Sequence, residues 1–387
     1  MTFPQTGALD RRMLTLARIS VAAIFLVSGA GLGVWAAHIP LLKAGLGLDD
    51  AGLGFVLLAM GVGAVLAMPV TGLVLHRFGA APTTIVAGAL FSAAVALPPH
   101  APDAAALMAS AFMLGALIGG LDVAMNAHAA AIEKALGRPI MSSIHAFFSI
   151  GGLAGSAGAG GLIALGLSPA AGMGAGAAAL LAITALAALR LAIPGGGAEE
   201  AHGLRLPKGA VLGLGALALL AFLAEGAMID WSAVYMSQAV GAGPALAAYG
   251  YAAFSAAMTA ARLTGDRVVG RLGPLRTVQA SGVVAAAGLC LVVAAPAPWV
   301  ALAGFAIAGL GFANVVPVLF SASTRLPGIA PGAALAMVAT MAYGGGLMGP
   351  PLIGFLSNAY GLRVAFLLLV AAGLVIAVGV RRAAPRA

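Results

Sequence analysis

The feature that most constrains the fold is a series of long apolar segments that follow one another along the whole chain. Each is close to the roughly 20 residues that a helix needs to cross the hydrocarbon core of a bilayer. The segments are continuously apolar, whereas the strands of a membrane barrel alternate apolar and polar residues. Because lipid offers no partners to backbone N–H and C=O groups, we expect helices. Breaking the sequence at charges, prolines and turns predicts twelve, at about 16–38, 51–75, 83–98, 104–131, 141–166, 169–190, 209–237, 245–264, 275–295, 299–322, 332–356 and 362–380.

The composition leaves no room for an ordinary soluble domain. Hydrophobic residues make up 62% of the chain and charged residues only 8%, against about 25% charged residues in soluble proteins. The 56 glycines are expected where membrane helices pack closely through small residues. The predicted class is therefore an all-α polytopic membrane protein, with the lipid bilayer as its solvent.

The positive charges have a topological explanation. With the N-terminus in the cytoplasm, all but two of the 19 Lys and Arg residues fall on the cytoplasmic side, the exceptions being Lys43 and Arg363. Arg262 is counted on that side, at the end of the eighth segment. Cytoplasmic loops are enriched in Lys and Arg, so the net charge of +8 indicates orientation and not nucleic-acid binding. We predict a bacterial inner-membrane protein with both termini in the cytoplasm.

The chain divides near its middle. Residues 191–208, "LAIPGGGAEEAHGLRLPK", carry proline, glycines and mixed charges and are typical of a flexible linker. We predict a six-helix bundle at 1–190, a cytoplasmic linker at 191–208 and a second six-helix bundle at 209–387. A weak internal repeat supports the duplication, because "HRFG" at 76–79 and "GRLG" at 270–273 are related by the same offset as "GLAG" at 152–155 and "GLMG" at 346–349.

Twelve helices in two sets of six, with a central linker, resemble the major facilitator superfamily. The family pattern after the second helix is Gly-x-Leu-Ala-Asp-Arg-x-Gly, and "GLVLHRFG" matches it at Gly72, Arg77 and Gly79 but has a histidine at the Asp position. The second half offers Asp266 and Arg267 in a similar loop. The resemblance implies that these five residues form a cytoplasmic gate that holds the two bundles together in an outward-facing state.

Two further stretches are similar to one bacterial branch of that superfamily, near the fucose permeases, which includes a rhizopine-linked membrane protein. They are "DVAMNAHAAAIEKALGRPIMSSIHAFFSIGGLAG" and "EGAMIDWSAVYM". The resemblance implies a secondary transporter for a sugar- or polyol-like solute, working as a monomer by alternating access. Drug or metabolite efflux is the alternative within transport, although the glycine-rich stretch of the fifth helix lacks the proline common in efflux relatives.

Acidic residues inside apolar segments are the candidate proton carriers. Placing a carboxylate at the centre of a membrane helix costs about 2.5–3.5 kcal/mol on insertion scales. Burial disfavours the charged form, so Asp122 in the fourth segment is a candidate for binding and releasing a proton. Glu225 and Asp230 in the seventh segment are further candidates. A structural hydrogen bond to a neighbouring helix is the alternative for Asp122.

Five polar and aromatic residues are candidates for the substrate cavity. Asn126 shares a helix face with Asp122. His145 either lines the cavity, or caps the fifth helix or bridges to Glu133 or to the turn at Arg138. Trp231 either lines it or, with Tyr235, belongs to an interfacial aromatic belt. Asn314 precedes Pro317, which predicts a kink and a free carbonyl, and Tyr343 either lines the cavity or packs on other rings.

The sequence lacks the characteristic residues of several functional classes. No Gly-x-x-x-x-Gly-Lys-Ser/Thr loop is present, so no ATP hydrolysis is expected. No spacing of His, Cys and carboxylates indicates a metal site, and no catalytic residues or cofactor are predicted. The expected partners are a small-molecule solute, protons and lipid, with no nucleic acid. The sequence predicts a transporter and not an enzyme.

Overall fold

The structure is a computed structural model that describes residues 11–137, 140–189, 209–329 and 331–383. It is almost entirely helical. The helices are α1 (Arg11–Gly45), α2 (Asp50–Phe78), α3 (Ala80–Ala94), α4 (Ala104–Leu136), α5 (Met141–Ala164), α6 (Pro169–Ala188), α7 (Ala210–Gln238), α8 (Pro244–Leu272), α9 (Pro274–Ala294), α10 (Pro298–Phe312), α11 (Val315–Ser323), α12 (Pro331–Tyr360) and α13 (Leu362–Ala383).

The twelve predicted segments all correspond to helices. Helices α10 and α11 are two halves of one segment, Pro298–Ser323, which is interrupted near its middle. Eleven segments of the described chain are long and apolar enough to cross a membrane by length and composition. Helix α8 falls outside that group because tyrosines, Ser255, Thr259 and several arginines make it more polar.

The helix boundaries follow local chemistry. The side chain of Asp49 accepts a hydrogen bond from the backbone N–H of Gly52 at the start of α2, and Asp103 does the same for Ala106 in α4. Gly79 (φ +84°) ends α2 and Gly273 (φ +77°) ends α8, a conformation that only glycine adopts without strain. The repeated "RFG" and "RLG" sequences therefore form equivalent turns, which supports the internal repeat.

Two boundaries differ from the sequence prediction. Helix α8 was expected to stop near residue 264 but continues to Leu272, because its arginines are good helix formers and do not break the helix. Helix α1 continues to Gly45, past Pro40. The predicted linker at 191–208 lies outside the described residues, and the proposed domain limits stay a prediction.

The helices form two six-segment bundles. In the first, α1 packs on α5 and α6, and α4 packs on α2 and α3; in the second, α7 packs on α12 and α13, and α9 packs on α10 and α13. The bundles meet mainly along α5 with α8 and α2 with α12, and α1 also contacts α7 and α8. Residues from these facing helices form the candidate site.

Candidate functional site

Asp122 lies on α4 between the two bundles, with its side chain partly buried. Asn126, one turn later, donates from Nδ2 to Oδ1 of Asp122 at 3.1 Å and to its backbone oxygen at 2.8 Å. The predicted pairing of these two residues on one helix face is therefore present. It leaves the second carboxylate oxygen, Oδ2, available to a partner from elsewhere in the fold.

Tyr343 supplies that partner from the other bundle. Its hydroxyl donates to Oδ2 of Asp122 at 3.0 Å, across 221 positions of sequence. The ring of Tyr343 is 39% exposed and packs edge-on against Phe222, with centroids 5.4 Å apart. The carboxylate of Asp122 thus accepts one side-chain hydrogen bond from each bundle.

His145 extends this polar cluster along α5. Its Nε2 lies 3.1 Å from Oδ1 of Asn126; because Nδ2 of Asn126 faces Asp122, the amide oxygen accepts and Nε2 of His145 donates. The helix-capping interpretation of His145 is wrong, because Glu133 itself caps α5 by accepting from the backbone N–H groups of Ile140 and Met141 at 2.6 and 2.9 Å. His145 is exposed, and its ring packs edge-on against Phe25 of α1, with centroids 5.0 Å apart.

Glu225 on α7 belongs to a second polar cluster centred on Arg262 of α8. One carboxylate oxygen of Glu225 lies 3.5 Å from Nη2 of Arg262, and the other is buried without a hydrogen-bond partner among the described residues. Nη1 of Arg262 donates to the hydroxyl of Ser149 on α5 at 2.9 Å. This ion pair therefore also spans the two bundles, and buried charges persist only when paired in this way.

Arg262 is a candidate site residue that the sequence did not single out. The charge pattern places it on the cytoplasmic side, but it lies inside α8 with its side chain 20% exposed. A signal was present: Tyr251, Ser255 and Thr259 recur at helical spacing before Arg262 and form a polar stripe. That stripe faces the other bundle, as the hydrogen bond from Ser255 to the backbone oxygen of Ser149 shows.

The predicted kink at Pro317 is confirmed as the break between α10 and α11. Pro317 has no N–H, so the carbonyl oxygen of Ala313 lacks its usual helical partner. Nε of Arg262 approaches that oxygen at 3.4 Å. Asn314 lies in the break, where a Cβ added at Gly265 of α8 would come within 2.2 Å of its Oδ1, so the break and the Arg262 cluster are in direct contact.

Asp230 and Trp231 lie further along α7 and are buried at the bundle interface. Asp230 is 9% exposed and Trp231 fully buried; Trp231 packs where a Cβ at Gly354 of α12 would be 3.2 Å from its ring. Tyr235 is also fully buried and donates to the backbone oxygen of Val292 at 2.9 Å. The aromatic-belt interpretation is therefore wrong, because belt residues face the membrane interface.

One end of the molecule, called here the Asp50 end, is held shut between the bundles. It is where α1 and α12 finish and α2 and α13 begin. Asp50 forms an ion pair with Lys43 and accepts a hydrogen bond from the hydroxyl of Ser357 in the other bundle. Nearby, Ser156 of α5 donates to the backbone oxygen of Ala248 on α8 at 2.6 Å.

The opposite end, called here the Arg77 end, carries the predicted gate. Arg77 is exposed and its guanidinium lies 5.4 Å from the centroid of Phe78, its neighbour in sequence. Arg267 is also exposed, and a Cβ at Gly72 would meet nothing within 4 Å. The side chain of Asp266 lies outside the described residues. Among the residues described, then, the gate positions do not form a tight contact.

The arrangement combines carboxylates, an arginine, amide and imidazole groups with aromatic rings, and groups of these kinds are typical of sites for polar small molecules. Within the described residues, no group of three or more His, Cys, Asp or Glu side chains is placed to hold a metal ion.

Comparison with known proteins agrees with this architecture. The sequence model of the family described as the Major Facilitator Superfamily matches residues 21–328. A relative from Yersinia pestis, described as an uncharacterised transporter of the major facilitator type, is 37% identical over 350 residues, 90% of this chain and 91% of its own. The membrane protein MosC of Rhizobium meliloti is 33% identical over 369 residues, 92% of this chain and 88% of its own.

Solved structures share the fold at low sequence identity. The nucleoside transporter NupG superposes with a TM-score of 0.75 at 15% identity, covering 96% of this chain and 99% of NupG. The E. coli fucose:proton symporter FucP gives a TM-score of 0.64 at 17% identity, covering 97% and 100%. The predicted family resemblance is confirmed, and the chain belongs to the major facilitator superfamily, as a multi-pass integral membrane protein of a transporter family.

Proposed function

We propose that this protein is a proton-coupled secondary transporter that moves a small polar solute, sugar- or polyol-like, across the bacterial inner membrane by alternating access. The observation that carries the proposal is the carboxylate of Asp122, which accepts hydrogen bonds from Asn126 in its own bundle and from Tyr343 in the other. A titratable group placed in that way links protonation to the relative position of the bundles.

The coupling between proton binding and bundle contact follows from the donors and acceptors at Asp122. Ionised Asp122 has only acceptor sites, which suit the Asn126 amide and the Tyr343 hydroxyl. A proton on the carboxyl removes an acceptor site and the negative charge, so the link to Tyr343 weakens. A solute hydroxyl can then take the place of either partner, and the second ring nitrogen of His145 offers an acceptor nearby. Proton binding and solute binding would thereby bias the same bundle contact.

Glu225 is the second candidate carrier. Its partner Arg262 also binds Ser149 of the first bundle, so neutralising Glu225 would release the arginine toward that bundle. Asp230 is the third candidate, buried beside Trp231 on the side of the Asp50 end. In this proposal Asn126, His145, Asn314 and Tyr343 face the solute at some stage of the cycle, whereas Trp231 is covered until the Asp50 end opens.

The sugar-like assignment draws on chemistry and on the shared fold. Hydroxyl-rich solutes pair with carboxylates, amides and imidazoles and pack their apolar faces on aromatic rings such as Phe222. A fucose:proton symporter and a nucleoside transporter use the same fold. The second candidate is efflux of a drug or metabolite; the stacked rings of Phe222 and Phe320, with centroids 6.4 Å apart beside Tyr343, favour a solute with a larger apolar face.

The test uses purified protein in liposomes with an imposed proton gradient. Asp122→Asn keeps the shape and hydrogen bonding of the side chain but cannot titrate, so it should abolish proton-driven accumulation while sparing counterflow exchange of solute. Glu225→Gln is the matched comparison. Normal accumulation with normal proton movement in Asp122→Asn would remove Asp122 as the carrier. Solute release driven by an inward proton gradient would favour the efflux alternative.

The proposed orientation places both termini and the Arg77 end in the cytoplasm. On a Cys290→Ser background, cysteines introduced at Ser168 and Pro298 should react with an impermeant thiol reagent from outside, and one at Gly196 only from inside. The opposite pattern at two of the three positions would reverse the orientation. Under this assignment the structure is open to the cytoplasm, and the protein acts as a monomer.

A further inference from the structure

A groove lies between α9 and α13, on helices that carry none of the candidate site residues. It has a volume of about 570 Å³. The two helices touch at Gly282, where an added Cβ would lie 2.6 Å from the backbone oxygen of Gly373. The groove opens from this crossing toward the Arg77 end, where α9 begins and α13 ends. Its apolar walls are formed by Ala280, Val283, Val284, Ala377 and Val378.

The apolar walls of the groove are exposed at the surface of the protein, which suits them to contact with lipid hydrocarbon. Val378 is 64% exposed and Val283 55% exposed, although both lie within membrane-spanning helices. Gln279 and Arg381 supply the polar lining. Nε2 of Gln279 approaches the backbone oxygen of Ala377 at 3.4 Å, which ties the two helices together across the groove.

The mouth of the groove is strongly positive. Arg381 lines it directly, and Arg382 lies four residues after Val378 on the same helical face. Arg276 lies four residues before Ala280 on α9, and all three arginines are exposed. Neither helix contains an acidic residue, and no ion pair involves these arginines within the described part of the chain. The rim therefore offers cationic groups without a protein counter-charge.

We propose that this groove binds one anionic phospholipid, with its phosphate group on the arginines of the rim and an acyl chain along the apolar walls. The charge complementarity decides the occupant: basic pockets between membrane helices recognise anionic headgroups, and a zwitterionic lipid offers no net charge to the rim. The lipid belongs to the leaflet at the Arg77 end. Bound there, it would hold the ends of α9 and α13 together within the second bundle.

Native mass spectrometry of the purified protein tests the site. Titration with phosphatidylglycerol should give a saturating one-lipid adduct, and phosphatidylcholine should not. Arg381→Gln/Arg382→Gln should weaken the adduct by about 30-fold, since each arginine near an anionic headgroup contributes about fivefold in affinity. The control Lys134→Gln/Arg325→Gln removes two exposed charges from the same end and should leave the adduct unchanged.

A second variant keeps the test decisive if the arginine variant loses its fold. Ala280→Trp fills the groove and leaves the rim charges, so it should also remove the adduct. Equal loss in the control variant, equal binding of phosphatidylcholine, or full binding by Ala280→Trp would each overturn the proposal. Saturation of the site by inorganic phosphate alone would also overturn the proposal, because it would indicate an anion site without a lipid. A dimer whose interface excludes the lipid would overturn it as well.

Discussion

The two ends of the molecule differ in how the bundles meet. At the Asp50 end, backbones approach directly: a Cβ at Gly354 of α12 would lie 2.7 Å from the backbone oxygen of Asp50 and 2.9 Å from Cα of Gly54. At the Arg77 end, a Cβ at Gly72 of α2, the helix that also carries Asp50 and Gly54, would meet nothing within 4 Å. One end is closed by glycine contacts and buried polar links, while the other leaves its arginines in the open.

This difference identifies what each end contributes to the cycle. The polar clusters of Asp122 and Arg262 join the two bundles between these ends. Opening the Asp50 end would require the loss of backbone contacts and of the Asp50–Ser357 hydrogen bond. Closing the Arg77 end would require contacts that the described residues do not make in this state. The comparison therefore predicts that similar substitutions at the two ends differ in their effect on the stability of this state.

The largest effect is expected for Gly354→Ala. Its new methyl group meets backbone atoms that cannot rotate away, and overpacking of this kind costs about 1–3 kcal/mol, a shift of about 5–150-fold in the balance between closed and open. On a Cys290→Ser background, cysteines replacing Phe55 and Phe355, whose rings are 5.1 Å apart, report closure through a short thiol cross-linker. Cross-linking and solute uptake should both fall.

The matched control is Gly344→Ala on the same helix. A Cβ there meets nothing within 4 Å, so cross-linking should stay at the parental level. Equal losses in the two variants would mean that helix flexibility, and not the contact between α2 and α12, holds this end.

A smaller effect is expected for Asp50→Asn. It removes the counter-charge of the buried Lys43, only 6% exposed, but keeps an amide oxygen that can accept a hydrogen bond from Lys43, so the loss is about 1 kcal/mol, the difference between a charged and a neutral hydrogen bond. Cross-linking between positions 55 and 355 and the thermal midpoint should both decrease. The double variant Lys43→Met/Asp50→Asn removes both partners and should recover most of the loss. A double variant as weak as the single one would assign the effect to Ser357 alone.

At the opposite end, Arg77→Ala should separate folding from transport. Substitution of an exposed side chain usually changes stability within about 0.5 kcal/mol, so the thermal midpoint should hold. Uptake should fall, because Arg77 is proposed to hold the bundles together only when this end closes. Normal uptake would mean that Arg77 is not part of a gate and only contributes to the orientation of the protein in the membrane.

Much of the fold was accessible from the sequence because lipid imposes a simple rule. Continuous apolar runs have to become helices, and their number and order followed directly. The Asp122–Asn126 pair was also accessible, because residues four apart share a face of any helix. Contacts between distant helices follow no such rule, and the bond from Tyr343 to Asp122 joins residues of different bundles.

Arg262 shows why the second cluster was not predicted. Counting charges near segment ends assumes that an arginine ends a membrane helix, but α8 continues for ten residues beyond it. Its interior position depends on Glu225 of α7, Ser149 of α5 and the free carbonyl of Ala313 in the break between α10 and α11. The stripe of Tyr251, Ser255 and Thr259 indicated a polar face, but it did not identify the partners.

The smallest effect is expected for Gly72→Ala, where the two ends can be compared on one helix. Gly54 and Gly72 are 18 residues apart, which is five turns of about 3.6 residues, so both lie on the face of α2 that meets α12 at the Asp50 end. In the present state the new methyl group at position 72 meets no atom, and alanine is favoured over glycine inside a helix by roughly 0.5–1 kcal/mol. Gly72→Ala should therefore raise the thermal midpoint slightly, whereas Gly354→Ala should not.

If the Arg77 end closes by the same glycine contact that closes the Asp50 end, uptake by Gly72→Ala should nevertheless fall, because the new methyl group would block the closed state of the Arg77 end. A variant that is more stable and also faster would show that the two ends close by different surfaces.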